Sequence, residues 1–223
     1  MKIGILGGTF NPIHNGHLHI AEEVLDSCQL DQVWFIPTCQ PPHKQLADEV
    51  DFSHRLAMVE AALADKPGFY ASDLEGRRGG TSYSVETLEQ LRREFPQNQF
   101  YFIMGLDSFQ DIGCWKNYQK LFGLANLVVT ARPGFSGSLR DFLPVAIADR
   151  FCYDAESENL RHSEGFSVFA VTHTCWNVSS TEVRRRLFRG EDVGDMVPDA
   201  VNEYIRQHQL YRKMNDPLVT KRS

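Results

Sequence analysis

The chain has no surplus of positive charge, no paired-cysteine framework and no long apolar run, and each shortage removes a class of function. Lys and Arg number 23 against 29 Asp and Glu, a formal net charge of -6. Nucleic acid and anionic membranes are repelled at long range by such a surface, so neither is expected as a partner. A small basic pocket for a phosphate is still allowed. The five cysteines (Cys28, Cys39, Cys114, Cys152, Cys175) are odd in number, widely spaced and free of any C-x-x-C. A disulfide framework wants an even count and a zinc site wants close pairs, so reduced thiols in a cytoplasmic protein are expected. No stretch approaches the ~18 apolar residues of a membrane helix. The apolar opening from Met1 to Leu6 is far too short for a secretory h-region and is stopped by Gly7-Gly8. Internal repeats and low-complexity tracts are also missing.

What is present is 223 residues, 42% of them hydrophobic, enough to bury a core of domain size. Short runs rich in Val, Ile and Phe at residues 2–6, 32–37, 99–104, 126–130 and 167–172 read as buried strands. Between them lie amphipathic segments. Ile20, Ala21, Val24, Leu25 and Cys28 share one helical face, Leu56, Val59 and Leu63 a second, and Val85, Leu88 and Leu91 a third. Strands alternating with helices predict an α/β fold: a Rossmann-like, doubly wound, mainly parallel sheet with helices on both faces. In such a sheet the ligand site lies beyond the carboxyl ends of the strands. Residues 1–212 are expected to form one domain, and the polar tail 213–223 to be disordered. Residues 38–50, with Pro41-Pro42, read as a mobile loop, and residues 132–143 as a second irregular stretch.

The first strand runs into Gly7-Gly8-Thr9-Phe10-Asn11-Pro12-Ile13-His14-Asn15-Gly16-His17 and then into the first helix. Two glycines let a ligand approach the backbone closely. His17 falls in the first helical turn, where free N–H groups and the dipole favour anions, and His14 sits three residues earlier. Both imidazoles can therefore serve one phosphate. His19 lies on the polar face with Glu22, Glu23 and Asp26 and reads as solvated. The loop lacks the Lys of G-x-x-x-x-G-K-[ST], and its glycines do not fit G-x-G-x-x-G.

Near the other end, Ser179 and Glu182 fit a capping box, so Asn177-Val178-Ser179-Ser180-Thr181-Glu182-Val183-Arg184 is explained as a helix start. A hydroxyl-rich helix N-terminus with an Arg one turn on also suits a triphosphate. Arg184, Arg185, Arg186 and Arg189 could instead mark a nucleic-acid helix, which the acidic balance disfavours. Three further pieces are Pro41-Pro42-His43-Lys44, Thr81-Ser82-Tyr83-Ser84 and Gly105-Leu106-Asp107-Ser108. Each alone is explained as a solvent loop or an N-cap.

Taken in order, these pieces resemble a known family. G-G-T-F-x-P-x-H-x-G-H resembles the long form of the H-x-G-H signature of nucleotidyltransferases, and V-S-S-T-x-x-R its I-S-S-T-x-x-R motif with Val178 replacing Ile. Together with Trp115 and Arg132-Pro133-Gly134, they are similar to bacterial nicotinate-nucleotide adenylyltransferases, from Lys2 to Arg212. The related phosphopantetheine adenylyltransferases lack the G-G-T-F opening and the P-P-H-K loop. Departures are small: Ser84 stands where Thr is more usual, and Cys114 precedes Trp115 where a hydroxyl residue is usual.

The resemblance implies adenylyl transfer from ATP to the 5′-phosphate of nicotinate mononucleotide, with release of pyrophosphate, and Mg²⁺ carried by ATP with no metal ligand from the protein. It implies catalytic roles for His14, His17, Lys44 and Arg184. ATP would meet Gly7, Gly8, Thr9, Phe10, His17, Gly105, Ser179, Ser180, Thr181 and Arg184. The mononucleotide would meet Thr9, His43, Lys44, Tyr83, Ser84, Asp107, Trp115, Lys116 and Arg132. The partners would be these small molecules, with oligomeric state left open.

Overall fold

The computed structural model describes residues 1–42, 50–131, 137–154, 159–172 and 178–212. Its elements are β1 (Lys2–Gly8), α1 (Asn15–Ser27), β2 (Gln32–Pro37), α2 (Phe52–Leu63), β3 (Phe69–Ala71), α3 (Leu74–Arg78), α4 (Ser84–Glu94), β4 (Gln99–Gly105), α5 (Leu106–Gln110), α6 (Tyr118–Leu121), β5 (Asn126–Ala131), β6 (Phe151–Asp154), β7 (Asn159–His162), β8 (Ser167–Thr172), α7 (Ser180–Arg189) and α8 (Asp199–Gln207). All eight strands belong to one sheet in the order β3-β2-β1-β4-β5-β8-β7-β6. The pairs from β3 through β8 are parallel, whereas β7 runs antiparallel to both β8 and β6.

The apolar runs form the centre of this sheet because both of its faces are covered. On one face Ala21 and Val24 of α1, Met58 and Val59 of α2, and Val201 and Ile205 of α8 pack with Leu6 and Ile103. On the other, Val85, Leu88 and Leu91 of α4 and Phe109 of α5 pack with Ile3, Ile5 and Phe102. Gly4 is a packing requirement: a Cβ there would stand 2.9 Å from Leu30 Cδ1 and 3.1 Å from both Ile103 and Val33. The chain steps outward from β1 to β2 and β3, then returns to place β4 on the other side of β1. That reversal opens a crevice beyond the carboxyl ends of β1 and β4, where Gly8 and Gly105 end their strands.

The expected strands all form, and the sheet is mainly parallel with helices on both faces. Three differences have simple causes. β1 continues through Gly7 and Gly8, which pair with Ile36 and Pro37 and do not turn. β3, β6 and β7 were not expected; β3 has three residues, and Cys152, Tyr153 and Asp154 of β6 are exposed, so no apolar run announces them. The inward face of α2 is Arg55, Met58, Val59, Ala62 and Leu63, with Leu56 only half-buried. Within the stretch expected to be irregular, Leu139–Phe142 forms a 3-10 turn capped by the Ser138 hydroxyl, which accepts from Arg140 N–H at 3.2 Å. The tail 213–223 and residues 43–49 of the expected mobile loop lie outside the described residues. Among the described residues no helix is long and apolar enough to cross a membrane.

Candidate active site

A cavity of about 440 Å³ occupies the crevice. Gly7, Gly8, Thr9 and His17 form one wall, and Met104, Gly105, Ser108 and Trp115 another; Tyr83, Ser84, Lys116 and Glu75 close a third side. Its size falls within the range of nucleotide and drug-sized pockets.

The loop between β1 and α1 is held from several directions. Phe10 takes a left-handed φ of 47° and buries its ring, 5.0 Å edge-on from His17. The Phe10 ring stands 3.2 Å from where a Cβ on Gly8 would lie, so Gly8 is required for that approach. Ser180 Oγ donates to Pro12 O at 2.9 Å, and Arg184 Nη1 to Asn11 O at 2.8 Å. The Tyr211 hydroxyl donates to Asn11 Oδ1 at 2.6 Å from beyond the end of α8, and burial pushes its pKa up. Asn15 N–H donates to Met196 O at 2.9 Å. The loop is therefore built before any ligand arrives.

His14 is the N-cap of α1 and His17 lies in its first turn, which carries no carboxylate to cancel the helix dipole. The two rings stack with centroids 3.6 Å apart. His14 N–H donates to His17 Nδ1 at 3.2 Å, which requires the neutral His17 ring to carry its proton on Nε2. Burial pushes His14 down to about 4, and burial plus the neighbouring His14 holds His17 well below the usual imidazole value. One expectation changes here, that both imidazoles serve one phosphate directly. Only His17 of the two lines the cavity, with His14 buried behind it, and at neutral pH burial keeps the pair uncharged. His19 is half-buried and meets Glu23 at 3.2 Å on α1.

Ser84 is the first residue of α4 and Tyr83 its N-cap, so the expected serine cap moves by one position. The first-turn Glu86 of α4 is met by Lys116 Nζ at 2.7 Å, and that ammonium also lies 4.1 Å over the Tyr83 ring. Trp115 stands edge-on to Phe102 with centroids 6.3 Å apart and presents its remaining surface to the cavity. Asp107 is in the first turn of α5, capped by Gly105, and is exposed outside the cavity lining. Ser179 caps α7 by accepting from Glu182 N–H at 3.2 Å. The Glu182 carboxylate turns to Arg185 and Arg186 and does not close the box. Ser180 and Arg184 brace the loop, and none of Ser179, Ser180, Thr181 and Arg184 lines the cavity. Arg189 pairs with Glu191, so most of the basic cluster on α7 is neutralised. His43, Lys44 and Arg132 lie outside the described residues.

Sequence reasoning missed three buried polar residues around this site. Glu75 lines the cavity at 7% exposure, accepts from the Thr87 hydroxyl and lies 3.7 Å from Arg78, which limits its repulsion of an anion there. Arg55 is 1% exposed, and Asn11 2%. The signal for Arg55 was legible: it stands three and four residues before Met58 and Val59, on the face that must be apolar. Glu75 and Asn11 carry no such pattern.

The described geometry can hold an anion between a helix N-terminus, a neutral imidazole N–H and strand-end backbone. Comparison with known proteins shows the family. Residues 5–186 match the model of the cytidylyltransferase-like family. The chain is 52% identical over 214 residues to a probable nicotinate-nucleotide adenylyltransferase of Syntrophotalea carbinolica, covering 95% of this chain and 98% of that protein. It is 51% identical over 212 residues to one from Geotalea daltonii, with the same coverage. The chain belongs to the nicotinate-nucleotide adenylyltransferase family. Among solved structures, the Plasmodium falciparum nicotinic acid mononucleotide adenylyltransferase complexed with NaAD matches with a TM-score of 0.71. It is 20% identical, and the match covers 94% of this chain and 97% of that one, so the family fold is shared across the length.

Proposed function

We propose that the chain transfers the adenylyl group of ATP to the 5′-phosphate of nicotinate mononucleotide, giving nicotinate adenine dinucleotide and pyrophosphate for NAD synthesis in the cytoplasm. The observation that carries this is His17, which lines the cavity beside the β1 loop while its Nδ1 accepts from the His14 amide, leaving the ring proton on Nε2. A phosphate monoester has a second pKa near ~6, so the attacking oxygen is already ionised at neutral pH and needs no general base. Its lone pair forms a bond to the α-phosphorus as the bond to the pyrophosphate oxygen breaks. The protein must align two anions and stabilise charge on the phosphoryl group in transit.

His17 Nε2–H and the first-turn amides of α1 suit a non-bridging α-phosphate oxygen. Arriving negative charge raises the pKa of both histidines, so they gain positive character as the ligand binds. Backbone of Gly7, Gly8, Thr9 and Gly105 receives ATP in this reading, and Ser180 and Arg184 hold the loop that carries Thr9 from outside the cavity. Lys44 supplies a further cation. Mg²⁺ enters as part of the MgATP substrate, held by phosphate oxygens as a hard cation prefers. The mononucleotide lies against Thr9 with its pyridine at Trp115 in this reading, and the resemblance assigns His43, Lys44 and Arg132 to it as well. The free N–H groups at the start of α4, with the Ser84 hydroxyl, meet the pyridine carboxylate, while Lys116 cancels Glu86 beside Tyr83. Residues 1–212 act as one domain in this reading.

Incubation with MgATP and nicotinate mononucleotide followed by mass spectrometry tests it: the dinucleotide accumulates with wild type, and its absence ends the reading.

A further inference from the structure

We propose that Arg55 is a positioning residue for adenylyl transfer, one buried cation that sets both lips of the cavity. It comes from the apolar face of α2, in line with Met58, Val59 and Ala62, yet its side chain is directed at backbone. Nη1 donates to Thr9 O at 2.8 Å and to Thr38 O at 2.7 Å. Nη2 donates to Cys39 O at 3.2 Å and Nε to Val50 O at 3.1 Å. These carbonyls belong to the loop after β1, the end of β2 and the chain just before α2.

A trans peptide group is planar, so fixing its carbonyl oxygen in one direction fixes the next N–H in the opposite one. Holding Thr38 O therefore aims Cys39 N–H, which donates to Ser82 Oγ at 3.0 Å. Ser82 adjoins Tyr83 and Ser84 at the start of α4, on the cavity wall. Holding Thr9 O likewise aims Phe10 N–H and steadies a loop whose next residue, Phe10, sits at a left-handed φ of 47°. That conformation is unfavourable in an L-residue, so a restraint on the adjoining Thr9 carbonyl helps to hold it. A single rigid guanidinium thus fixes the lip that receives the nucleotide phosphates relative to the lip that receives the pyridine. A lysine ammonium has the charge but lacks the planar fork that reaches several carbonyls at once.

The inference rests on the adenylyl-transfer reading, and its test has one arm independent of turnover. Arg55→Lys and Arg55→Met are compared with wild type as full chains. In Arg55→Lys the amides of Phe10 and Cys39 should exchange at least about 10-fold faster, with those of β4 and β5 unchanged. The catalytic efficiency per folded molecule should fall by about 10- to 100-fold, with KM rising for both ATP and the mononucleotide, as expected of misplaced reactants. Arg55→Met should fall further. A purely structural arginine would lower the melting temperature yet leave the kinetic constants of the folded fraction within twofold of wild type, and that result overturns the proposal. Unchanged exchange at Phe10 and Cys39 overturns it as well. If Arg55→Lys does not fold, the arginine is a requirement of the fold and not a positioning residue. An inactive wild type would remove the adenylyl-transfer reading while the exchange arm still decides whether Arg55 sets the two lips.

Discussion

Acidification should unfold this protein through the same two histidines that shape its phosphate site. Burial holds His14 at about 4 against an ordinary 6.5, and His17 is lowered well below 6.5. Above pH 6.5 both rings are neutral whether the chain is folded or not, so they contribute no dependence. Below it the unfolded chain takes up protons that the folded chain refuses, and stability falls with pH. A difference of about 2.5 units at ~1.4 kcal/mol per unit gives a loss of roughly 3 kcal/mol from His14 by pH 4. His17 adds to this over the same window, and so does His162, whose imidazole burial also lowers. A total stability of ~5–15 kcal/mol cannot absorb much of that. Urea unfolding at pH 7.5, 6.5, 5.5 and 4.5 measures the slope for wild type and for His14→Asn. The variant should lose less stability per pH unit below 6.5 and cross the wild-type curve or approach it at acid pH. Parallel curves would refute the claim that His14 is kept neutral by its burial.

His17→Ala should fold normally and lose about 10²–10³ in turnover, the usual cost of removing one preorganised donor, as measured by steady-state kinetics on the purified variant. The start of α4 should prefer a carboxylate over a carboxamide by roughly 10²–10⁴ in efficiency, because about two charge-assisted hydrogen bonds are at stake. Ser84→Ala should narrow the ratio between nicotinate and nicotinamide mononucleotides, while Trp115→Ala should weaken both substrates about equally. Tyr211→Phe leaves the buried Asn11 Oδ1 without its hydroxyl donor. Its stability should drop by about 1–3 kcal/mol in urea titration.

The central sheet was legible because β1, β2, β4, β5 and β8 carry apolar runs that nothing but a covered sheet accommodates. The edge was not, since β6 exposes Cys152, Tyr153 and Asp154 and pairs on one side only. At the site, Gly7, Gly8, Thr9, His17, Tyr83, Ser84, Gly105, Trp115 and Lys116 were read from motifs and line one cavity. The sequence could not show that His14 stacks behind His17, because a spacing of three residues permits both a shared ligand and a stacked pair. Nor could it show that Arg184 donates to Asn11 O, a contact across 173 positions of the chain. Arg55 was the readable omission: a charged residue on an apolar helical face has to find buried acceptors, and it found four carbonyls.

The most direct measurement of the central claim is pyrophosphate release from MgATP with a panel of phosphorylated acceptors, including nicotinate and nicotinamide mononucleotides. The account predicts release that depends on the acceptor, matches dinucleotide formation one for one, and is fastest with nicotinate mononucleotide. Release with no acceptor present, or none with any acceptor, would contradict it.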